Sequence, residues 1–443
     1  MHRAFVAFLA LAAAAAAPGS PSATVYTNVT LIDGTGAPAA PGMAIVVQGE
    51  RIVSVLSMAA LTAHPIDGAA TVDLAGRFAL PGLIDTHQHL GTTPNRPAAQ
   101  AQLYRMIYGG VTAVRDMAGD GRFLADLARA TRVEEIPGPD IAFSALMAGP
   151  GFFADPRTHS AAQGAAPGRV PWLQAVTPQT DMVLAVAEAR GTGAAGIKIY
   201  ADVPAAEVRR IIAEAHRQGF PVWSHGMIFP ATPADVIEAG VDSVSHAPML
   251  AFSLLDQKPA TYRESRTVAV DLAQVRADTT VLPALFAEMR RRGTILDATV
   301  HTFLEYDLRK KPTAPARGPV AVEVAARAYR AGVALSAGTD FGAKPEDAYP
   351  ALQTEMATLV SDVGMTPADV IRAATSTAAR ALKTDDEMGT VAPGKLANLV
   401  FVARNPLGDI TALREVILTV KRGRAYPRAN YHQPSAEILG RDY

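Results

Sequence analysis

Two histidines, His87 and His89, stand one residue apart at the end of an apolar stretch that begins at Leu80. Residues i and i+2 of a strand point to the same side, so a strand here would direct both imidazoles towards one point at its C-terminal end. Two converging imidazoles suit a divalent metal such as zinc. The spacing therefore predicts part of a metal site, with a pair of surface histidines leaving a turn as the alternative.

Other side chains that could complete such a site follow apolar runs farther along the chain. Because the sequence has no cysteine, any metal site must be built from histidines and carboxylates, and a cysteine nucleophile is excluded. Each residue alone has a plainer interpretation, as a packed histidine or a solvated charge. The residues concerned are Lys198, His225, His246 and Asp340.

The elements that would position these residues repeat from residue 80 onwards as strand, loop and helix. A periodic apolar face and a terminal Gly219 predict a helix over 205–218. A Thr-Pro-x-Asp pattern at 366–369 predicts a second helix start. Eight strands alternating with helices predict a (β/α)8 barrel, whose strand ends meet at one face, where active sites form. The predicted strands lie at 80–89, 111–116, 141–146, 196–200, 221–225, 241–246, 294–301 and 333–340.

The two ends of the chain lack the strand–helix alternation that is predicted for the barrel. His2 and Arg3 precede an unbroken apolar run over 4–17 and small residues up to 23, which predicts an export signal and a periplasmic or secreted protein. An N-terminal helix retained in the fold is the alternative. Residues 24–79 contain short strands and a hairpin, and residues 389–430 contain two more strand-like runs. We expect these two parts to form one small β-sandwich, with the barrel at 80–388 inserted between them and a tail at 431–443.

The amino-acid composition indicates which classes of binding partner are expected. The 443 residues are 49% hydrophobic and 19% charged, with a formal net charge of −1. This balance argues against nucleic acid and, after signal cleavage, against a membrane, since both favour a basic excess. A small-molecule substrate is expected. The oligomeric state stays open, with a homo-oligomer among the alternatives.

The ordered motifs resemble a known family. The stretch 81–89, with Lys198, His225, His246 and the Ala-Gly-Thr-Asp run at 337–340, resembles the amidohydrolase superfamily, closest to its imidazolonepropionase-like and Xaa-Pro dipeptidase-like branch. The segments 110–116 and 389–400 fit the same branch. The resemblance covers nearly the whole chain after the signal segment.

The resemblance implies a binuclear metal site, with zinc the favoured metal. Lys198 would be carboxylated by CO2 and would bridge the two ions. One ion would be held by His87, His89 and Asp340, and the other by His225 and His246, with a bridging hydroxide as nucleophile. Asp340 would shuttle the proton to the leaving nitrogen. The alternative is a single-metal site in which Lys198 stays a cation and contacts the substrate.

The substrate is expected to be an amide, peptide or cyclic amide with a carboxylate beside the scissile bond. Tyr200, His301 and Arg115 are the candidate contacts, with a structural ion pair as the equal alternative for Arg115. Residues 199–204 lack the Gly- and Ser-rich stretch associated with the dipeptidases, which argues against that activity. A lactonase or deaminase on the same barrel and a non-catalytic binding protein stay as alternatives, and the loops at 147–178 and 301–317 have no assigned role.

Overall fold

A computed structural model of the protein describes residues 23–309, 316–340, 342 and 344–439. Apart from Ala23, the predicted signal segment lies outside the described residues. Among the helices described, none is both long and apolar enough to cross a membrane.

The secondary structure follows the alternation that the sequence predicts. The strands, in chain order, are β1 (Thr24–Leu31), β2 (Ala40–Gln48), β3 (Arg51–Ser57), β4 (Ala70–Asp73), β5 (Phe78–Pro81), β6 (Leu83–Gln88), β7 (Val111–Asp116), β8 (Asp140–Ala148), β9 (Arg169–Val170), β10 (Leu173–Ala175), β11 (Gly196–Ile199), β12 (Val222–His225), β13 (Ser243–Ser245), β14 (Ile295–Asp297), β15 (Leu335–Ser336), β16 (Leu399–Val402), β17 (Val416–Lys421) and β18 (Arg424–Pro427). The helices are α1 (Met58–Ala63), α2 (Arg96–Tyr108), α3 (Gly121–Arg132), α4 (Pro156–Ala162), α5 (Met182–Gly191), α6 (Ala205–Arg217), α7 (Pro233–Glu238), α8 (Ala247–Leu250), α9 (Tyr262–Ser265), α10 (Leu272–Ala277), α11 (Val281–Arg292), α12 (Val300–Arg309), α13 (Gly318–Arg330), α14 (Ala351–Ser361), α15 (Pro367–Ala373), α16 (Ser376–Leu382) and α17 (Ala436–Leu439).

Eight parallel strands form the barrel in the order β6, β7, β8, β11, β12, β13, β14 and β15. The first and last strands meet through a hydrogen bond of 3.1 Å from the Thr86 backbone N–H to the Ala337 carbonyl. All residues of β6 and β7 are buried, because one side of each strand faces the barrel interior and the other faces helices. The predicted barrel is confirmed.

Strands from both chain ends combine into one mixed sheet of order β18-β17-β16-β5-β1-β2-β3, with β4 beside β1. The junction is the antiparallel pair β5 and β16, in which Leu399 lies opposite Pro81. Apolar side chains from the two ends, including Tyr26, Ile45 and Phe401, pack into one cluster. The prediction that the chain ends share a β domain is therefore confirmed.

The segment after the third barrel strand carries secondary structure of its own. A 3-10 turn at Pro150–Ala154 leads into α4, and the β9–β10 hairpin adds β10 in parallel to β8. The Asp155 side chain accepts a hydrogen bond from the backbone N–H of Arg157 and so caps α4. Three α4 residues, Arg157, Thr158 and Ala161, line the cavity at the barrel mouth.

The seventh barrel strand is shorter than predicted. β14 ends at Asp297, Thr299 adopts a left-handed φ of 48°, and α12 begins at Val300. The Glu355 carboxylate accepts hydrogen bonds from the backbone N–H groups of Val300 and His301 at 2.9 and 2.7 Å. His301 therefore lies in the first turn of a helix and not at a strand end.

Candidate active site

Six side chains from five barrel strands and their ends meet at the C-terminal face of the barrel. They line one cavity of about 490 Å³. Three of the imidazoles are close neighbours, with ring centroids 4.8 Å apart for His87 and His246 and 4.6 Å apart for His225 and His246. The six residues are His87, His89, Lys198, His225, His246 and Asp340.

The four histidines share one arrangement, in which Nδ1 is engaged by a protein group. A partner at Nδ1 fixes the orientation of the ring and leaves Nε2 available to a metal. The partners are Asp297 Oδ2 for His87 at 2.6 Å, Thr92 Oγ1 for His89 at 3.3 Å, the Met227 carbonyl for His225 at 2.9 Å and Thr299 Oγ1 for His246 at 2.9 Å.

Asp340 lies against three of these rings. Its Oδ1 is 3.2 Å from His89 Nε2 and 3.5 Å from His87 Nε2, and its Oδ2 is 3.7 Å from His246 Nδ1. Although burial favours the neutral acid, the neighbouring histidines hold the pKa of Asp340 well below its usual range. Potential ligand atoms of His87, His246 and Asp340 all lie within 4.8 Å of one another, so these three groups belong to one compact candidate metal centre.

Backbone strain accompanies this geometry. Asp340 has a φ of 48° and His246 a φ of 78°, values that residues other than glycine seldom adopt. A hydrogen bond of 2.9 Å from the Asp340 N–H to the His87 carbonyl holds the first of these. Such strain tends to collect at functional sites, where surrounding contacts over-determine the conformation.

Lys198 stands at the floor of the cavity and is 1% exposed. Its Nζ lies 3.5 Å from Ser245 Oγ. Burial lowers the pKa of Lys198 to about 7, against the attraction of Asp297. A fraction of the amine is therefore uncharged near neutral pH, and the uncharged amine is the form that can react as a nucleophile.

Asp297 is a site residue that the sequence interpretation missed. The carboxylate is fully buried at the end of β14 and accepts hydrogen bonds from Thr86 Oγ1 and Ser245 Oγ, each at 2.9 Å, besides its contact with His87. Although burial acts in the opposite sense, His87 and Arg115 hold the pKa of Asp297 below its usual range. The available signal was a single carboxylate directly after the apolar pair at 295–296; the strand predicted over 294–301 placed it in mid-strand, whereas β14 ends at Asp297.

Gly338 allows Asp297 and His87 to approach the strand that carries Asp340. A Cβ atom at this position would lie 2.1 Å from Asp297 Oδ1 and 2.8 Å from His87 Cβ. Neither neighbour can withdraw easily, because both are buried. The glycine of the Ala-Gly-Thr-Asp run is thus explained by close packing beneath the site.

Tyr200 lines the cavity, as its position two residues after Lys198 suggested. Its ring lies edge-on to His225 with centroids 4.9 Å apart, and its hydroxyl is 2.8 Å from the hydroxyl of Tyr262. Burial raises the pKa of Tyr200 well above its usual value, so the hydroxyl stays protonated and can donate a hydrogen bond.

Arg115 does not reach the cavity, which corrects its assignment as a substrate contact. The side chain is fully buried, donates to the Thr86 carbonyl at 2.7 Å, pairs with Asp297 at 3.3 Å and stacks on Trp223. The interior of a barrel must neutralise such a charge locally. Arg115 therefore forms a structural ion pair, the alternative that the sequence left open.

His301 is also misplaced by the sequence interpretation. It is not among the described residues that line the cavity, and its Nε2 lies 3.9 Å from Glu305 Oε1 within α12. The physical reason is the early start of α12, which turns the chain away from the strand direction. Phe303, two residues later, faces the cavity instead and packs edge-on against His246.

Comparisons with known proteins agree with this architecture. The structure is similar to a Xaa-Pro dipeptidase with bound methionine, with a TM-score of 0.71 and 24% identity over 92% of this chain and 100% of that chain. It is similar to A. niger ochratoxinase, with a TM-score of 0.71 and 21% identity over 96% and 98% of the two chains. A molinate hydrolase matches with a TM-score of 0.70 and 18% identity over 94% and 97%. No curated protein matches the sequence.

Identities this low establish a shared fold and nothing finer. Membership of a family is shown by the sequence, because the model of the "Amidohydrolase family" matches residues 78–426. That range contains the whole barrel, the six cavity residues and the strands that return to the β sheet. The protein belongs to the amidohydrolase family.

Proposed function

We propose that the protein is a binuclear metal-dependent hydrolase that cleaves the C–N bond of an amide, peptide or cyclic amide. Family membership supports a hydrolase of C–N bonds in general. The observation that carries the proposal is the shared arrangement of the four histidines, whose Nδ1 atoms are all engaged around one cavity that also holds Lys198 and Asp340.

The donor set fits two divalent ions, and zinc is the favoured metal because the ligands are imidazoles and carboxylates. His87, His89 and Asp340 would hold one ion, and His225 and His246 the other. Lys198, carboxylated by CO2, would supply one oxygen to each. When bound, the ions lower the pKa of water and polarise the scissile carbonyl.

The chain's own groups then have separate tasks. Asp340 accepts a proton from the attacking water and delivers it to the amide nitrogen, while the C–O bond forms and the C–N bond breaks. Asp340 is ionised at neutral pH because its pKa is lowered, and the ionised carboxylate is the form that can accept a proton. Asp297, through its 2.6 Å contact, holds the ring of His87 in one orientation.

The charge of Lys198 depends on which metal arrangement is present. In the binuclear arrangement its charge would be replaced by an anionic carbamate, formed as the uncharged amine attacks CO2 and releases a proton. The low pKa of the amine supports this reaction. A single-metal enzyme with a cationic Lys198 is the competing arrangement.

We further propose that the protein acts in the periplasm or outside the cell. The support is the apolar run at 4–17 after a basic start, a pattern typical of export signals. N-terminal sequencing of the protein recovered from a periplasmic or culture fraction should find a start between residues 17 and 24. A protein retained in the cytoplasm with residue 1 or 2 at its start would contradict this.

Metal content and hydrolysis of a small panel test the proposed function together. Protein expressed with zinc should contain two ions per chain and should hydrolyse at least one of a set of N-acyl amino acids, dipeptides and cyclic amides. Hydrolysis of lactones alone would assign the site to C–O bonds, and one tightly bound ion per chain would favour the single-metal arrangement. A metal-free protein without hydrolytic activity would overturn the proposal.

A further inference from the structure

The cavity has one positively charged side chain besides the residues assigned to metal, among the residues that line it in the described part of the chain. This residue is Arg157, at the second position of α4. Asp340 is the only carboxylate in the same lining. An anionic group that enters the cavity would therefore meet the guanidinium of Arg157, with Asp340 as the one carboxylate among the described lining residues.

A plainer explanation for Arg157 is a helix-capping ion pair, and the chain contains a close copy for comparison. Asp155 accepts from Arg157 Nε at 3.0 Å and from Nη2 at 2.8 Å, and Asp120 accepts from Arg122 Nε at 3.1 Å and from Nη2 at 2.8 Å. Both pairs stand at the start of a helix, with the same spacing of two residues.

The two arginines differ in what else they touch. Arg122 also donates to the carbonyls of Ala162 and Gln163 and stacks on Trp172, and it does not line the cavity. Among the described contacts, Arg157 hydrogen-bonds only to Asp155, so its Nη1 keeps both hydrogens for another partner. Its side chain is 47% exposed, which suits an arginine at the mouth of a cavity.

A pair of tyrosine side chains lies beside His225 at the candidate metal site. Tyr200 and Tyr262 share a hydrogen bond of 2.8 Å, and their rings lie 4.9 and 5.8 Å from that of His225. Arg157 and Tyr200 line the same cavity. A ligand group that accepts a hydrogen bond from Tyr200 would therefore bind in the same cavity as the candidate metal ligands.

Part of the remaining lining is apolar. Phe152 packs against Tyr200 and Phe303 against His246, and Leu146, Leu173 and Met249 also line the cavity. These side chains favour a substrate that has a sizeable apolar part, because burying it removes apolar surface from water. A small or highly polar amide would leave them uncovered.

Building on the proposed function, we propose that Arg157 and the Tyr200 hydroxyl bind the carboxylate of the amino acid that leaves, so that the substrates are N-acyl amino acids with an apolar acyl group. Arg157 can donate to a carboxylate from Nη1 while Nε and Nη2 stay on Asp155, and the tyrosine hydroxyl adds a further hydrogen bond. The carboxylate would lie at the mouth, the amide bond above the histidines and the acyl group along the wall formed by Met249 and Phe303. This assignment replaces the role first given to Arg115 and His301.

The test compares Arg157→Gln, Arg157→Lys and the matched control Arg122→Gln in the metal-loaded, full-length enzyme. The substrates are an N-acyl amino acid with an aromatic acyl group and the corresponding N-acyl amino alcohol, in which CH2OH replaces the carboxylate. A hydrogen bond to a charged group contributes about 1.5–3 kcal/mol, so Arg157→Gln should raise KM for the acid about 10- to 100-fold. Values for the alcohol should change less than about twofold.

Two controls separate recognition from folding. Arg157→Lys should recover part of the loss, because it restores the charge without the planar fork. Arg122→Gln should leave the ratio of kcat/KM for acid and alcohol as in the wild type, although it removes the same kind of helix-capping pair. Equal losses for both substrates in Arg157→Gln, or the same shift of the ratio in Arg122→Gln, would overturn the assignment.

A binding measurement keeps this inference distinct from the proposed function. An N-arylmethyl amino acid has a secondary amine in place of the amide and cannot be hydrolysed at that bond. Calorimetry should show that the wild type binds it about 10- to 100-fold more tightly than Arg157→Gln. Binding of this kind in an enzyme that hydrolyses none of the amides would keep the carboxylate site and overturn only the hydrolase; equal binding to both proteins, or none, would overturn the carboxylate site itself.

Discussion

Asp297→Asn is the substitution that most directly tests how the barrel core supports the candidate metal site. Oδ2 of Asp297 accepts from three donors, His87 Nδ1 at 2.6 Å, Ser245 Oγ at 2.9 Å and Arg115 Nη2 at 3.3 Å, whereas Oδ1 accepts from Thr86 Oγ1. An asparagine amide nitrogen in place of Oδ2 would face all three donors. The amide nitrogen should therefore replace Oδ1, where the Thr86 hydroxyl can rotate to accept.

In that orientation the hydrogen bond to His87 survives and the negative charge is lost. Removing a carboxylate that orients a metal-binding histidine lowers metal affinity about 10- to 100-fold. Arg115, fully buried, loses its one described ion-pair partner. Breaking a buried pair costs about 3–5 kcal/mol, and we expect about 3 kcal/mol because Asp85 also acts on Arg115.

The assay measures zinc affinity by competition with a chelator and stability by urea unfolding of the metal-free protein. Metal-free protein is needed because a bound ligand raises apparent stability. Asp140→Asn is the matched control, since Asp140 pairs with Arg422 at 2.8 Å and with buried Lys421 at 3.3 Å at the start of β8, away from the cavity. It should lose stability and keep zinc affinity, and unchanged zinc affinity in Asp297→Asn would refute the reasoning.

Three further predictions concern the site and the helix behind it. Lys198→Ala should lose bound metal and activity, and short carboxylic acids should restore part of both by replacing the bridging oxygens; a variant that binds two ions normally would exclude the carbamate bridge. Asp340→Asn should lower turnover about 10²- to 10⁴-fold, the usual contribution of a general acid–base group, with metal content retained, and unchanged turnover would assign proton transfer elsewhere. Burial, aided by Asp297 and Asp85, raises the pKa of Glu355 to about 8, above its unfolded value of about 4.3, so the free energy of unfolding should fall as pH rises between these values. Glu355→Gln should flatten that fall in urea unfolding followed across pH, and an identical slope would show that Glu355 does not titrate in this window.

The sequence predicted the barrel well where each strand is a buried run with clear limits. The run at 111–116 coincides with β7, Val111–Asp116, and the periodic segment at 205–218 is α6 to within one residue. All six proposed ligands were placed on one face because parallel strands end together. Those inferences need only local pattern and a general property of the fold.

The interpretation was wrong where tertiary contacts decide the outcome. β14 ends early because Glu355, from α14, caps the N-terminus of α12, and the local sequence gives no sign of that contact. Asp297 acquires its role from side chains on three other strands. Arg157 was missed because it lies in a connecting segment, where only the packing of α4 against the barrel brings it to the cavity.

The pairing of β5 with β16 means that the β sheet can finish folding only after the C-terminal strands have been synthesised. During synthesis, β1 to β5 are made long before β16. Until then, the edge of β5 that pairs with β16 has no partner. An open edge of this kind is a template for association with other chains. Closing it requires contacts between distant parts of the sequence, which form slowly. Chains truncated before residue 399 should therefore aggregate rather than accumulate as a folded barrel. In the full chain, the final strands protect the edge of β5 from pairing with other chains.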